Sequence, residues 1–395
     1  MKHSLHRLLN TLLIATPLGL AALPAAAGWD EGLAAYNAQN FPLALKEFQA
    51  LADQGDARAQ LKLGIMYDHG RGLAKSAADA ARWYLQAAAQ GDVTAQNNLA
   101  VLYSEGDGVP KDEALAAAWY RKAADQGFAS AQFNLGLIYQ KGQGVAQDER
   151  LAAQWFRKAA EQGHRGAQFN LGVMLDEGLG MAKDEAQAVH WYRKAAEQGQ
   201  RDAQNNLAMM LEEGRGVAPN AQEAVDWYRK SALQGTHSAQ FNLGIAYDQG
   251  QGVAVDKREA AKWYLQAAKG GNVNAQFNLG LMYAGGQGIP QDQAQSLHWY
   301  GQAAEQGDAG ALQNLGGIYS KALGVPRNRV VAYALYDAAA ARDPSAENFA
   351  PGLRDKLIKF LNPTELAQAK ALGQSLRSPD APVLQTISEQ LARKR

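Results

Sequence analysis

Apolar residues recur along most of this chain with the spacing of amphipathic helices. In residues 167–202 they predict a first helix, helix A, with the stripe Ala167, Leu171, Gly172 and Leu175. They also predict a second helix, helix B, with the stripe Ala188, Trp191, Tyr192 and Ala195. Helix A is expected to end at Gly178-Leu179-Gly180, because glycine takes a positive φ at little steric cost. Asp184 then stands where a side-chain cap for helix B is needed.

This two-helix unit returns with a period of 36 residues. The first mark of the period is an Ala-Gln pair that begins at Ala59, Ala95, Ala131, Ala167, Ala203, Ala239 and Ala275, followed by Ala311-Leu312. The second is an aromatic pair at 83/84, 119/120, 155/156, 191/192, 227/228, 263/264 and 299/300, followed by Leu335-Tyr336. A strict period of this length predicts an all-α solenoid, a right-handed α/α superhelix whose units bury their apolar faces by stacking. Such an architecture favours a binding function.

The repeated pattern AQxNLGxxYxxGxGVxxDxxxAxxWYRKAAxQG resembles the Sel-1-like repeat family, a branch of the tetratricopeptide clan. The resemblance covers residues 59–342 as eight repeats. Residues 28–58 resemble a tetratricopeptide repeat, and we expect them to cap the N-terminal end. Residues 343–395 are expected to form C-terminal capping helices up to 376 and then a loosely held tail, for which a partner-binding helix is the alternative.

The N-terminal segment has the features of a secretory signal peptide. Lys2 and Arg7 precede an apolar run that ends at Ala25-Ala26-Ala27, so residues 1–27 are expected to be removed. The run is interrupted by Asn10 and Pro17 and is shorter than the roughly 20 residues needed to span a bilayer. We expect a periplasmic or secreted protein with no transmembrane segment after cleavage. The chain contains no cysteine, which excludes disulfides and a lipid anchor attached through cysteine.

Composition and motifs argue against several other functions. Lys plus Arg and Asp plus Glu balance at 39 each, so there is no overall basic field to attract nucleic acid. The seven histidines are scattered without a metal-binding motif, and the glycine turns lack the strand and lysine of a phosphate-binding loop. We therefore expect no catalytic residues, no metal and no cofactor.

Three stripes of helix A are candidates for binding. Helical geometry turns Phe169 about 160° away from Leu171 and Leu175, toward the concave side of a superhelix. The aromatic members of this stripe are Phe133, Phe169, Phe241 and Phe277. One interpretation is an apolar groove for a peptide or helix; the other is that neighbouring A helices bury the stripe.

An asparagine ladder runs beside the aromatic stripe. Its members include Asn134, Asn170, Asn206, Asn242 and Asn278. Amides donate and accept, so spaced amides can hold a peptide backbone, as the resemblance to the tetratricopeptide clan also implies. The alternative is that each asparagine satisfies backbone groups between repeats.

Acidic residues collect in the last turn of helix A. The paired members are Asp176, Glu177, Glu212 and Glu213. Acids there face the negative end of the helix dipole, which costs roughly 0.3 to 1 kcal/mol each. We expect charge that is solvated or paired with the Arg-Lys of helix B, as at Arg193-Lys194; the alternative is a basic partner at this acidic edge.

The sequence thus predicts a non-enzymatic adaptor that binds a protein or peptide. For exported relatives the resemblance implies roles in envelope signalling, exopolysaccharide assembly or host interaction. The alternative is a protein that binds peptidoglycan or another glycan.

Overall fold

The computed structural model describes residues 25–345, 349–378 and 381–392. The predicted signal peptide lies outside this part of the chain, apart from residues 25–27, with which the first helix begins. The chain divides into two compact units, residues 1–162 and 163–395. The described residues are helical throughout, without strands, and the predicted all-α architecture of helix-turn-helix repeats is confirmed.

The first unit contains eight helices in the described residues. Their bounds are α1 Ala25–Asn37, α2 Phe41–Asp53, α3 Ala57–His69, α4 Ala77–Ala89, α5 Val93–Glu105, α6 Glu113–Asp125, α7 Ala129–Lys141 and α8 Glu149–Glu161. Within the 36-residue repeats, which begin with α3, odd-numbered helices are A helices and even-numbered helices are B helices. The pair α1 and α2 precedes the 36-residue repeats, and its core forms around the fully buried Phe48.

The second unit begins with five pairs of A and B helices. Their bounds are α9 Arg165–Glu177, α10 Glu185–Glu197, α11 Arg201–Glu213, α12 Ala221–Leu233, α13 His237–Gln249, α14 Lys257–Lys269, α15 Val273–Gly285, α16 Gln293–Glu305, α17 Ala309–Lys321 and α18 Arg329–Arg342. Three further helices complete it: α19 Ala350–Ile358, α20 Pro363–Leu376 and α21 Val383–Ala392.

The turn between the two helices of a repeat has the predicted chemistry. Gly178 ends α9 with φ 75°, and the Oδ1 of Asp184 accepts a hydrogen bond from Gln187 N at 2.9 Å at the start of α10. In the last repeat Ala322 takes the left-handed conformation, with φ 62°, in place of the glycine. Each repeat therefore ends helix A and caps helix B with residues of its own turn.

The interior of a repeat depends on a close approach between helix A and an aromatic ring of helix B. A Cβ atom at Gly172 would lie 2.7 Å from the ring of Tyr192, closer than real side chains come. Tyr192 is 1% exposed and Trp191 is 6% exposed. The small residue on helix A lets the large residue on helix B fill the space between the helices.

The C-terminal helices pack more firmly than the sequence analysis expected. Asp337 of α18 is 5% exposed, and its carboxylate binds Arg354 at 3.2 Å and Arg377 at 2.8 Å. In place of a loosely held tail, α21 buries Val383 and Ile387, and Leu384 lies where a side chain at Gly301 would project. Helix α21 can pack there because α16 carries Gly301 at a position where several other B helices carry arginine.

Candidate binding surface

Helix A presents two faces with different burial. In α9, Leu171 is 0% exposed and Leu175 is 4% exposed, whereas Phe169 and Val173 on the opposite side are half-buried. We call the second face the helix A surface. In the first unit its residues are Leu61, Ile65, Asn97, Val101, Phe133 and Leu137. In the second unit they are Phe169, Val173, Asn205, Met209, Phe241, Ile245, Phe277 and Leu281.

The phenylalanines of the helix A surface contact the aromatic ring of helix B in their own repeat. The ring centroids are 5.9 Å apart for Phe133 and Phe156, 6.0 Å for Phe169 and Tyr192, 5.8 Å for Phe241 and Tyr264, and 5.7 Å for Phe277 and Tyr300. All four phenylalanines are half-buried. Each ring thus extends the core of its repeat and still shows part of its surface.

The ladder asparagines, Asn134, Asn170, Asn206, Asn242 and Asn278, are likewise half-buried. Burial raises the pKa of the Tyr228 hydroxyl, and a hydrogen bond from the Asn242 side chain opposes that rise. Asn206 has the same relation to Tyr192 and Asn278 to Tyr264, in each case across one repeat boundary. Since a side-chain amide can make four hydrogen bonds, one contact with a tyrosine leaves capacity for a ligand.

The acidic edge is paired within its unit, through a residue that the sequence analysis did not consider. Arg215, from the glycine turn between α11 and α12, binds the carboxylate of Asp176. The same guanidinium lies 3.5 Å from Glu213. Glu212 accepts a hydrogen bond from the Tyr228 hydroxyl at 2.8 Å, and Glu177 and Glu213 are the exposed members of the set.

The Arg-Lys pair of helix B has another role than the one expected. Its lysine covers the tryptophan three residues earlier: the Nζ atom of Lys158 is 4.0 Å from the Trp155 ring centroid, and that of Lys230 is 3.7 Å from the Trp227 ring centroid. Its arginine reaches the next repeat, where Arg229 donates to the Tyr247 hydroxyl at 3.0 Å. These cation–π contacts and hydrogen bonds belong to the packing of helix B.

Sequence comparison identifies what these repeats are. The Sel1 repeat matches eight consecutive segments, residues 57–92, 93–128, 129–164, 166–200, 201–236, 237–272, 273–308 and 309–344. The chain belongs to the Sel1 repeat family. Sel1 repeat proteins are generally protein-interaction scaffolds and are typically non-enzymatic.

Two solved structures resemble this Sel1 repeat protein over most of its length. One is c5321, a protective antigen of uropathogenic Escherichia coli with an SLR fold; it is 37% identical with a TM-score of 0.80, and the match covers 93% of this chain and 79% of that chain. The other is a Sel1 repeat protein from Oxalobacter formigenes, 36% identical with a TM-score of 0.57, for which the match covers 69% of this chain and 79% of that chain. No curated protein matches the chain.

The glutamine of the Ala-Gln pair joins successive Sel1 repeats, a role that the sequence analysis missed. Gln204 is buried, and its Nε2 donates to the carbonyl of Ala196 in the preceding B helix at 3.0 Å. Its Oε1 accepts from Gln234, at the end of helix B in its own repeat, at 2.8 Å. The signal was present as a second glutamine that recurs 30 residues after the first.

One Sel1 repeat replaces this second glutamine in an informative way. Gly270 stands at the end of α14 where six of the other seven repeats have glutamine, and a Cβ atom there would collide with the ring of His237. The Nδ1 of His237 lies 3.1 Å from the Oε1 of Gln240. The imidazole therefore takes the hydrogen-bonding place of the missing glutamine.

Candidate chemistry of other kinds is sparse in the described part of the chain. No group of three or more His, Cys, Asp or Glu side chains within it is arranged to hold a metal ion. Nor does this part contain a helix both long and apolar enough to cross a bilayer. The helix A surface stays the candidate for binding.

Proposed function

We propose that this Sel1 repeat protein is an exported adaptor that binds a segment of another protein on the helix A surface. The supporting observation is that this surface is apolar and only partly buried in the repeats that carry Phe133, Phe169, Phe241 and Phe277. Among its members Leu281 is 42% exposed, and Phe277 beside it keeps part of its ring accessible. Side chains of this kind are typical of surfaces that accept an apolar partner.

Aromatic and amide side chains supply the two contacts that such a segment needs. The partly exposed rings of Phe241 and Phe277 would receive apolar side chains. Asn242 and Asn278 would hold the partner's backbone with the hydrogen bonds left over from their tyrosines. A partner bound by backbone contacts can be extended and varied in sequence.

Export is part of the proposal and rests on the predicted signal peptide, residues 1–27. The partner is accordingly sought among envelope proteins. Envelope signalling, exopolysaccharide assembly and host contact are the processes in which such an adaptor would act.

Binding to a glycan receives less support from the geometry. Tryptophan rings, the usual platform for sugars, are buried at positions 119, 155, 191, 227 and 299. Lysine covers Trp155, Trp191 and Trp227 on one side. Capture of a partner from envelope extract also tests this alternative, because an added peptidoglycan fragment would compete with the protein partner for the helix A surface.

Two exposed leucines provide a matched test. Leu281→Glu places a charge on the helix A surface, whereas Leu233→Glu makes the same change on helix B, where Leu233 is 72% exposed. Residues 28–395 of each form are immobilised and exposed to envelope extract. We expect the parent and Leu233→Glu to retain a protein that Leu281→Glu loses, with all three forms equally helical.

A second variant tests the rings. Phe241→Ser with Phe277→Ser is expected to lose the same protein while remaining folded by circular dichroism. Equal retention by Leu281→Glu and Leu233→Glu would refute binding at the helix A surface.

A further inference from the structure

The turn of the last Sel1 repeat carries a reversed charge. In the second repeat Lys111 Nζ lies 2.8 Å from the carboxylate of Glu113, and in the fourth repeat Lys183 is the same distance from Glu185. Asp112 lies between Lys111 and Glu113 in the sequence. One net negative charge over these three positions therefore becomes two positive charges in the last repeat, which has Arg327, Asn328 and Arg329.

These two arginines line a cleft of about 350 Å³ at the C-terminal end of the second unit. One wall is the start of α18, residues 327–330, and the other is formed by Phe360, Leu361 and Glu365. The guanidinium carbon of Arg329 lies 5.1 Å from the Phe360 ring centroid, and Lys359 Nζ lies 5.0 Å from the same centroid. The negative face of the Phe360 ring attracts both cations, Arg329 and Lys359, and so holds them at the edge of the cleft.

The positive charge of the cleft is not neutralised within it. Glu365 is the acid of the lining, and its Oε2 accepts a hydrogen bond from the Asn362 backbone as part of a helix cap. In the described residues no carboxylate lies within ion-pair distance of Arg327, Arg329 or Lys359. Arg329 is also the first residue of α18, where the helix dipole disfavours a cation.

From this arrangement we infer that the cleft binds an oxyanion, a carboxylate or phosphate group carried by a ligand. Arg327 and Arg329, both in the lining, would donate charge-assisted hydrogen bonds to it, as guanidinium groups do with such anions. Phe360 would keep Arg329 in place. This site lies apart from the helix A surface and does not depend on the proposed adaptor function.

Inorganic phosphate and acetate are suitable probes, titrated separately by calorimetry at constant ionic strength. We expect saturable binding of at least one, and the stronger probe indicates whether the natural ligand carries phosphate or carboxylate. Arg329→Glu restores the acid of the second and fourth repeats and suits the helix start, so the variant is expected to fold. It should weaken binding by at least about tenfold, since it removes a charge-assisted contact.

Arg327→Ala is a second variant, with the same expected loss. The matched control is Lys111→Ala, the same turn position in the second repeat, and it should leave binding unchanged. Failure of both probes to saturate the parent protein, or equal affinities in all four forms, would overturn the inference.

Discussion

In the repeat of residues 201–236, the two faces of helix A meet different surroundings. On the inner face Gln204 is buried and hydrogen-bonded at both ends of its amide, and Leu207 is 0% exposed. On the helix A surface Met209 is half-buried and Asn205 is 6% exposed, and the neighbouring ladder residue Asn206 contacts one tyrosine and accepts a hydrogen bond from Asn205 at 3.3 Å. Stacking buries the inner face, whereas Met209 and Asn206 on the other side of the helix keep part of their surface accessible. We therefore place the proposed binding function on that side.

The largest effect is expected on the inner side, at the tryptophans. Trp191→Ala should lower the free energy of unfolding by about 3 to 5 kcal/mol, because it empties the volume of a large buried side chain. Trp263→Ala is the comparison: Trp263 is half-buried and its helix carries Leu265-Gln266 in place of Arg-Lys. Chemical denaturation of both variants should show the smaller loss for Trp263. Equal losses would mean that burial of the indole does not set the stability of a repeat.

The glutamine link comes next. Gln204→Ala should cost about 1 to 3 kcal/mol, since it removes the hydrogen bonds that this buried side chain makes to the Ala196 carbonyl and the Gln234 amide. Gln222→Ala, on the exposed side of α12, serves as the control and should change stability by less than about 0.5 kcal/mol. Denaturation curves that coincide for the two variants would show that Gln204 does not stabilise the stacking of successive repeats.

A double-mutant cycle connects the two faces. Gly172→Ala should cost about 1 to 3 kcal/mol because the new Cβ atom meets the Tyr192 ring. Where alanine occurs naturally at this position, in Ala100 and Ala208, asparagine replaces the phenylalanine three residues earlier. We infer that the displaced tyrosine ring needs the space that Phe169 occupies.

Phe169→Asn should therefore recover part of the loss in the Gly172→Ala background. The measurement is the coupling energy of the cycle, expected to exceed about 0.5 kcal/mol. Additive effects would contradict this explanation of the sequence correlation.

The smallest effects are expected at the helix caps of the first and last repeats. A hydrogen bond from the Arg58 side chain holds the pKa of Asp56 below its ordinary value of 3.8, whereas burial raises the pKa of Asp308 above it. Asp56 thus contributes stability that is present above 3.8 and lost as the pH falls through its lowered value. For Asp308 the pH dependence is reversed. Its contribution to stability is present below 3.8 and is lost as the pH rises through its raised pKa.

Replacement of each acid by asparagine keeps a side-chain cap and removes the charge. At neutral pH we expect Asp56→Asn to lower the melting temperature and Asp308→Asn to raise it. Both differences should shrink in acid, where the native aspartates are protonated. Melting curves recorded from neutral to acidic pH test the signs, and a shift of the same sign in both variants would contradict the assigned causes.

Much of the repeat was predictable from sequence because its signals are local. The helix caps need only adjacent residues, as the hydrogen bond from Gln187 to Asp184 shows. The roles of Gln204 and Arg215 were missed because their partners come from other turns and repeats. The packing of α21 was missed because its site at Gly301 lies about 80 residues earlier, outside any period. For the helix A surface, sequence indicated the direction of Phe169 but not its contact with Tyr192.

The most direct test of binding at the helix A surface places a photocrosslinker either on that surface or on helix B. Benzoylphenylalanine replaces Leu281 on the helix A surface or Leu233 on helix B in the full-length protein produced in cells. Illumination should yield a discrete product with a second protein from position 281 and none from position 233. A product from position 233 alone would place the partner on helix B and contradict binding at the helix A surface.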